Sequence, residues 1–439
     1  MDQKETNISI IRTVLQQTFD HVLRYLGNLH KTSVATTTSL SDLRQKLNLT
    51  FPERQTEANE VINDLVEATN GGLLGSTGGR FFGWAVGGTL PSALAADWPT
   101  SARNQNGALS AVSPTVAVIE EVCGKWLKEL LNLPPSASFA LVSGCQMAHV
   151  TCLAAARHAL LVRRGWDCER DGLNGSPRIR ILSSSERHGS IERAVRLLGL
   201  GTRSVVDLPA DENGCLQPGT LSEALAKDPN VPTILANITL DPAHRHLLAG
   251  AENADSWATD GHKWLNVPYD CGYAFITNQE AHRNSMSHRA TYLTHDQDAR
   301  DQIDWNPEWS RRGRGIATYA ALRELGREGV ANLVERCCRH AQGLLTGIVG
   351  LNGAELVWKS EINLGLVRFL DEKDDAESDD HDRRTDKVIA ALAESGEAFF
   401  SGTTWRGRRY MRVSVLNWQT DEDDVVRVIE ATNRILERE

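Results

Sequence analysis

The sequence predicts an α/β protein in which a large domain with a mostly parallel sheet precedes a smaller C-terminal α/β domain. Three observations predict it. Short apolar runs alternate with amphipathic helical stretches over residues 112–276, the pattern of strands covered by helices on both faces. The 439 residues exceed what a single core usually holds. After about residue 310 the order changes to one long helix, then a new succession of strands and helices. Composition, 41% hydrophobic and 24% charged, supports a sizeable core.

Taken in order, residues 1–75 read as a helical arm or dimer-forming cap, because Ile11, Val14, Leu15 and Phe19 recur at helical spacing. The large domain, residues 76–310, opens near NGGLLGSTGGRFFGWAVGGTLPSALAADW. Its glycines let backbone approach backbone or a ligand, or simply form an irregular loop. VSPTVAVIEEVCGKWLKELLNL is helical, SFALVSG a strand and CQMAHVTCLAAARHALLVRRG a helix. RIRILSS, TRSVVDLP and PTILANI follow as strands, separated by the helices SIERAVRLLGLG and TLSEALAKDP. Residues 256–259 and 272–276 form two more strands around a turn at 266–270. In residues 311–439, TYAALRELGREGVANLVERCCRHAQGLLTGIVG is one long helix, EINLGLVRFL a strand and DEKDDAESDDHDRR an exposed acidic loop. Helix TDKVIAALAES leads to two strands around a tight turn in EAFFSGTTWRGRRYMRVSVLNW. Thr420 caps the last helix, which places Val425, Val428, Ile429, Thr432, Ile435 and Leu436 on one face.

A net charge of −10 argues against nucleic acid and anionic membrane as partners. No apolar run is long enough to span a bilayer, and the start lacks a signal peptide's basic-then-apolar order. A cytoplasmic location is expected. Eight cysteines in so long a chain are no disulfide framework. With no C-x-x-C spacing, no metal site is expected, and the thiols read as reduced packing residues.

Lys263 lies in ADSWATDGHKWLNVPYDCGYAFI, residues 254–276, between His262 and Trp264 at a turn joining two apolar runs. The ordinary reading is a lysine whose stem crosses the turn with its ammonium in water. The alternative is an amine that attacks a carbonyl, which must shed its proton through burial or nearby cations. Trp257, Trp264 and Leu265 would supply dryness and His262 cationic character. At Ser143-Gly144-Cys145-Gln146 a strand ends and a helix begins at once, so free N–H groups and the helix dipole favour an anion such as phosphate. Neither a P-loop lysine nor G-x-G-x-x-G is present, so a nucleotide is not favoured. His188, in SSSERHGSIERAV, sits between a strand and a helix, on the edge where ligands dock. It would stack on a planar ring or move a proton, or simply lie near a helix cap. Together the three imply a planar phosphorylated aldehyde held as an imine on Lys263: pyridoxal 5'-phosphate.

The lysine segment, with FFGWAVGGTLPSALAADW, NQNGALSAVSPTVAVIEE, SGCQMAHVTCLAAARHALL, HGSIERAVRLLGLG, SRRGRGIATYAALRELGREG and GTTWRGRRYMRVSVLNW, resembles the pyridoxal-phosphate-dependent group II decarboxylases. These are relatives of glutamate and aromatic-L-amino-acid decarboxylases, and the resemblance runs from about residue 81 to the C-terminus. It implies the aspartate-aminotransferase-like fold (fold type I), a homodimer, and decarboxylation of an L-amino acid. By the same resemblance, Lys263 carries the cofactor and His188 stacks on its ring. Gly144, Cys145 and Gln146 cradle the phosphate through backbone N–H groups, helped by Asp260 and His262. Ser310 reaches the phosphate of the partner subunit. Phe82 lines the substrate pocket, and Arg412 either faces the substrate carboxylate or is a buried structural arginine. ATYLTHDQDARDQIDWNPEW resembles the family's mobile loop, with Tyr292 near it. Phe81, Phe82 and Trp84 suit an aromatic substrate, or are packing.

One family element is missing. Members of the family place an aspartate, in a string like HVDGAFG, on a strand between PTILAN and the lysine segment, where it pairs with the pyridine nitrogen. This chain runs PTILANITLDPAHRHLLAGAENADSWATDGHKWL, and residues 238–255 are too few for a crossover helix, a strand and a return. The join falls near residues 236–242, where Asp241 is the acid at hand and takes no assigned role. The expectation is a decarboxylase with impaired cofactor binding and turnover. The alternatives are a catalytically inactive paralogue and another reaction of the same cofactor, transamination or oxidative deamination.

Overall fold

The computed structural model describes residues 3–212, 214–236, 250–288, 300–359, 362–371, 373 and 377–438. Two compact units divide the chain: Met1–Gly88 with Arg336–Glu439, and Thr89–Glu335. The expected helical arm consists of α1 (Gln3–Asn28), α2 (Leu40–Leu47) and α3 (Ala58–Thr69). A capping box starts α2, with Ser39 and Asp42 each accepting from the other's backbone N–H. Although α3 packs on α1 and α2, Ile8, Ile11, Leu15, Leu23 and Leu65 stay exposed.

The second unit begins with α4 (Pro91–Arg103) and α5 (Pro114–Leu131), each with proline in the first turn, where no N–H is needed. β1 (Ser138–Val142) then leads into α6 (Cys145–Val162) and the short α7 (Cys168–Asp171). β2 (Arg180–Ser184), α8 (Gly189–Leu197), β3 (Val205–Leu208), α9 (Pro218–Lys227) and β4 (Thr233–Leu235) alternate as expected. β5 (Ser256–Asp260), β6 (Gly272–Ile276) and α10 (Gln279–Met286) follow.

Among the described residues these strands form two sheets of three. In one, β3-β2-β4, all pairs are parallel, because α8 and α9 serve as crossovers. In the other, β1-β6-β5, both pairs are antiparallel, so β1 and β5 run the same way on either side of β6. Helix α6 packs on both sheets. Its Val150, Leu153 and Leu161 join Ile181, Ile191, Val195 and Ile234 in one apolar cluster; its Ala148, Cys152 and Ala155 join Ala140, Val142, Ala274 and Ile276 in another. Each large aliphatic side chain buried there contributes roughly 1.5–3 kcal/mol. Among the described residues β4 and β5 each pair with one strand only. Leu235 on β4 is half exposed, and four of the five residues of β5 are only partly buried. These two edges flank the join expected near 236–242. Asp241 and Tyr292 lie outside the described residues.

The expected long helix, α11 (Gly315–Val349), breaks at Gly326, where φ is +61°. Beyond it lie β7 (Ala354–Lys359), β8 (Leu364–Phe369), α12 (Ser378–Ser395), β9 (Ser401–Trp405), β10 (Arg408–Ser414) and α13 (Glu422–Leu436). The strands make an antiparallel sheet in the order β7-β8-β10-β9, with α12 packed on it. The half-exposed edge strand β7 was not foreseen. The β9–β10 turn is Arg406-Gly407, both at positive φ, which is two-residue hairpin geometry. Half of the expected acidic loop is helix instead: Glu377 and Asp380 form a capping box, and acids in the first turn of α12 meet the positive end of its dipole. Asp421 caps α13 by accepting from Asp424 N–H, while Thr420 Oγ donates to Gly79 O.

Candidate active site

The register of the antiparallel sheet brings the lysine segment to the start of α6. Gly272 on β6 lies opposite Val142 on one side and Asp260 on the other. The chain leaving β1 and the chain leaving β5 therefore emerge side by side. A Cβ on residue 272 would sit 2.5 Å from Gly144 Cα, so the close pass requires glycine there.

Lys263 Nζ lies 2.9 Å from Asp260 Oδ2. Asp260 is buried, and its Oδ1 accepts from Cys145 N–H at 2.5 Å. His262 Nε2 is 3.4 Å from the same oxygen, and its Nδ1 accepts from Cys271 N–H. With Nδ1 so used, the neutral ring carries its proton on Nε2, facing Asp260. The ring also stacks on Tyr269, centroids 4.3 Å apart. Burial holds His262 below the usual histidine range, with Asp260 opposing. The imidazole is thus neutral near pH 7, and the expected cationic help to Lys263 gives way to an ion pair with a buried carboxylate.

Helix α6 starts at Gly144, which has no side chain to cap it. Met147 and Ala148 N–H both bond to Gly144 O, and Gln146 Nε2 donates to Ser190 O, tying α6 to α8. The Cys145 thiol is pushed up to about 12 by burial, then by Asp260. Its Sγ is 3.4 Å from Nε2 of His149, a residue that sequence reasoning overlooked. Burial pulls His149 down to about 4; the fields of His188 and Lys263 add to this, and Asp260 opposes it. His149 Nδ1 is buried without a hydrogen-bond partner among the described residues. The i, i+4 spacing from Cys145, which places both on one helix face, was the available signal.

His188 is the N-cap of α8. Its Nδ1 accepts from Ser190 N–H at 3.2 Å and lies 2.7 Å from Ser190 Oγ, so the neutral ring carries its proton on Nε2. The helix-cap reading of His188 therefore holds, and the cap fixes the ring while leaving the residue exposed. Ser310 is exposed next to Arg311, whose guanidinium is fully buried 2.8 Å from Glu120 and donates to Leu141 O.

Phe82 and Arg412 belong to the other unit. Phe82 is fully buried and stacked on Phe400 at 5.1 Å. Phe81 stacks on Phe399, and Trp84 is exposed. Arg412, on β10, is partly buried, and burial lowers its pKa with no carboxylate opposing among the described residues.

A phosphorylated aldehyde fits the Lys263 cluster. The start of α6 offers backbone donors, a Cβ at Gly144 would press on His262 Cε1 at 3.2 Å, and the amine lies alongside. The carboxylate of the cluster, Asp260, is engaged at this same end. Asp270, whose field also reaches His262, is paired with Arg314 at 3.1 Å.

A family model described as the pyridoxal-dependent decarboxylase conserved domain matches residues 41–240 and 236–371. Tryptophan decarboxylase 1 of Oryza sativa subsp. japonica is 22% identical over 477 residues, covering 93% of this chain and 90% of that protein. L-2,4-diaminobutyrate decarboxylase of Rhizobium meliloti (strain 1021) is 25% identical over 381 residues, covering 77% and 74%. Among solved structures, Oryza sativa TDC with PLP and tryptamine matches with a TM-score of 0.88 at 21% identity, over 97% of this chain and 98% of that one. Mouse CSAD matches with a TM-score of 0.86 at 20% identity, over 97% and 98%. These likenesses show a shared fold.

Proposed function

This chain belongs to the pyridoxal-dependent decarboxylase family and is a pyridoxal-phosphate-dependent amino-acid carboxy-lyase of fold type I; on that premise we propose that Lys263 holds the cofactor and that the residues gathered around it divide the work. The observation that carries this reading is the meeting of Lys263, Asp260 and the first N–H of α6 within hydrogen-bonding distance. Bound there, the cofactor supplies an electron sink for the pair left behind when CO2 departs.

The chain's own groups do the rest. Backbone N–H groups of Gly144, Cys145 and Gln146 hold the phosphate, with the helix dipole behind them. Asp260 gives up its bond to Cys145 N–H as the phosphate enters and stays beside Lys263, whose amine then serves as the local proton carrier. His262, neutral, backs Asp260 through Nε2–H. His188, its ring direction set by the cap on α8, offers a flat face to the cofactor ring and a proton on Nε2. Arg412 is a partly buried guanidinium with no opposing carboxylate among the described residues, a fit for a substrate carboxylate. The exposed apolar residues of α1 and α3 suit a second copy of the chain, and Ser310 would then face that copy's phosphate. Eight free cysteines suit a reducing, cytoplasmic setting. Among the described residues no helix is long and apolar enough to cross a membrane.

We further propose that turnover is impaired. What supports this reading is that, among the described residues, the parallel and antiparallel strands form separate sheets, and that the family match comes in two pieces, 41–240 and 236–371. Borohydride treatment of the cofactor-incubated protein, followed by peptide mapping, should label Lys263, and Lys263→Ala should stay colourless. A label elsewhere sinks the assignment. Decarboxylation at a rate typical of ordinary enzymes, about 10 per second, would sink the impairment.

A further inference from the structure

At the far end of α6, roughly 20 Å along the helix from Cys145 at 1.5 Å per residue, three donor atoms of different chemistry converge. His158 belongs to the last turns of α6, and Cys168 and Glu169 open α7. Cys168 Sγ is 3.1 Å from Glu169 Oε1, His158 Nδ1 is 3.5 Å from that oxygen, and all three donor atoms lie within 4.8 Å of one another. His158 is only 8% exposed, and Nδ1 has no hydrogen-bond partner among the described residues although it faces the carboxylate. A buried imidazole nitrogen without a hydrogen bond is unfavourable, so the arrangement calls for a further partner.

We propose that His158 Nδ1, Cys168 Sγ and the Glu169 carboxylate bind a zinc ion, with water as the fourth ligand. Imidazole, thiolate and carboxylate together are a borderline-soft donor set that suits zinc better than magnesium or calcium. Metal–sulfur and metal–nitrogen or –oxygen lengths of about 2.3 and 2.0–2.2 Å put tetrahedral ligands roughly 3.3–3.6 Å apart, close to the 3.1 and 3.5 Å that separate Glu169 Oε1 from Cys168 Sγ and His158 Nδ1, while Nδ1 and Sγ lie within 4.8 Å of each other. The surroundings hold the donors in place. Asp167 caps α7 by accepting from Glu169 and Arg170 N–H. Arg157 Nη2 lies 3.2 Å from both oxygens of Glu169 and fixes the carboxylate plane. Cys168 sits in an apolar cluster with Leu161 and Val195, which slows exchange with solvent. Burial and then Glu169 push the free thiol up to about 11, so the metal enters by displacing its proton: R–SH and M2+ give R–S–M+ and H+ released to water. The bound ion straps α7 to α6. The sequence offered no warning, because one ligand on a helix and two adjacent ones ten residues later match no common zinc spacing.

Cobalt(II) titration of the cofactor-loaded protein tests this, since cobalt reports its ligands by colour and cofactor keeps the Lys263 cluster occupied. Expected are one cobalt per chain, a thiolate-to-cobalt charge-transfer band, bleaching by added zinc, and affinity rising about tenfold per pH unit as one thiol proton is displaced. Cys168→Ser should abolish the charge-transfer band, and His158→Gln should abolish stoichiometric binding. Each variant's metal-free melting curve shows whether it folds, and either folded variant suffices. Wild-type protein that takes up no cobalt, shows no charge-transfer band, or keeps the band in folded Cys168→Ser overturns the site.

Discussion

Replacing Glu120 by glutamine tests how strongly the floor beneath the lysine cluster depends on one buried pair of charges. Glu120 on α5 and Arg311 are both fully buried, with Arg311 Nη1 2.8 Å from Oε2. Arg311 also donates to Gly107 O at 2.9 Å and to Leu141 O at 2.7 Å, two residues before Ser143. Glutamine preserves shape and one acceptor but leaves the guanidinium without a counter-charge. Breaking a buried pair from one side costs about 3–5 kcal/mol, and the two surviving carbonyl acceptors place this case near 3 kcal/mol. In a unit of this size that is a fall in melting temperature of about 6–12 °C. Adding Arg311→Met removes the stranded charge and instead orphans two carbonyls, at about 1–3 kcal/mol each. A double-mutant cycle should therefore show coupling of at least about 1 kcal/mol. Urea and thermal denaturation of wild type, both single variants and the double variant measure it. If Glu120→Gln lies within about 1 kcal/mol of wild type, or the two changes simply add, the reasoning fails.

Arg412→Met should raise KM for the amino acid about 10–100-fold, the worth of a charge-assisted hydrogen bond, while the visible absorbance of bound cofactor stays as it was; an unchanged KM removes Arg412 from the substrate. His282 is fully buried and pushed down to about 3, by burial and then by the charge of Arg300. The unfolded chain, with an ordinary histidine at 6.5, takes up the proton first. Stability from this group is therefore constant above pH 6.5 and falls as pH drops toward 3, by roughly 4–5 kcal/mol at most. Urea midpoints across that range should show the loss and His282→Gln should flatten it; a flat wild-type profile contradicts the burial argument. Deleting residues 1–70 should give monomers by light scattering where the full chain gives dimers, and a truncated protein that remains dimeric assigns the apolar faces of α1 and α3 another role.

Much of the fold is legible from periodicity because it depends on local order. Strand, turn and helix at 138–145 can be read from apolar spacing and a glycine, and so can the β9–β10 hairpin from Arg406-Gly407. Lys263 stands out because an amine between a histidine and a tryptophan is chemically unusual. What escapes are distances between segments far apart in the chain. Nothing in ATDGHKW says that Asp260 will reach Cys145 N–H, because that contact is set by Gly272 pairing with β1 and β5 together. His149 was hidden for a similar reason: its helix reads as packing until His188 and Lys263 are brought near. Nor does an aromatic beside glycines announce its neighbour: Phe82 stacks on Phe400, more than three hundred residues away in the chain. The start of α12 was missed because charge density suggests a loop, whereas acids at a helix start are stabilised by its dipole.

The division of the strands into two trios also changes where this protein should be most resistant to opening. In a continuous sheet the central amides exchange slowest with deuterated water, since every neighbour must part before they are exposed. Here, among the described residues, β2 and β6 are flanked on both sides, while β1, β3, β4 and β5 are each held from one side. Slow exchange should therefore concentrate in two separate islands, around Ile181 and around Ala274. Faster exchange is expected in the strands held from one side, β4 and β5 among them.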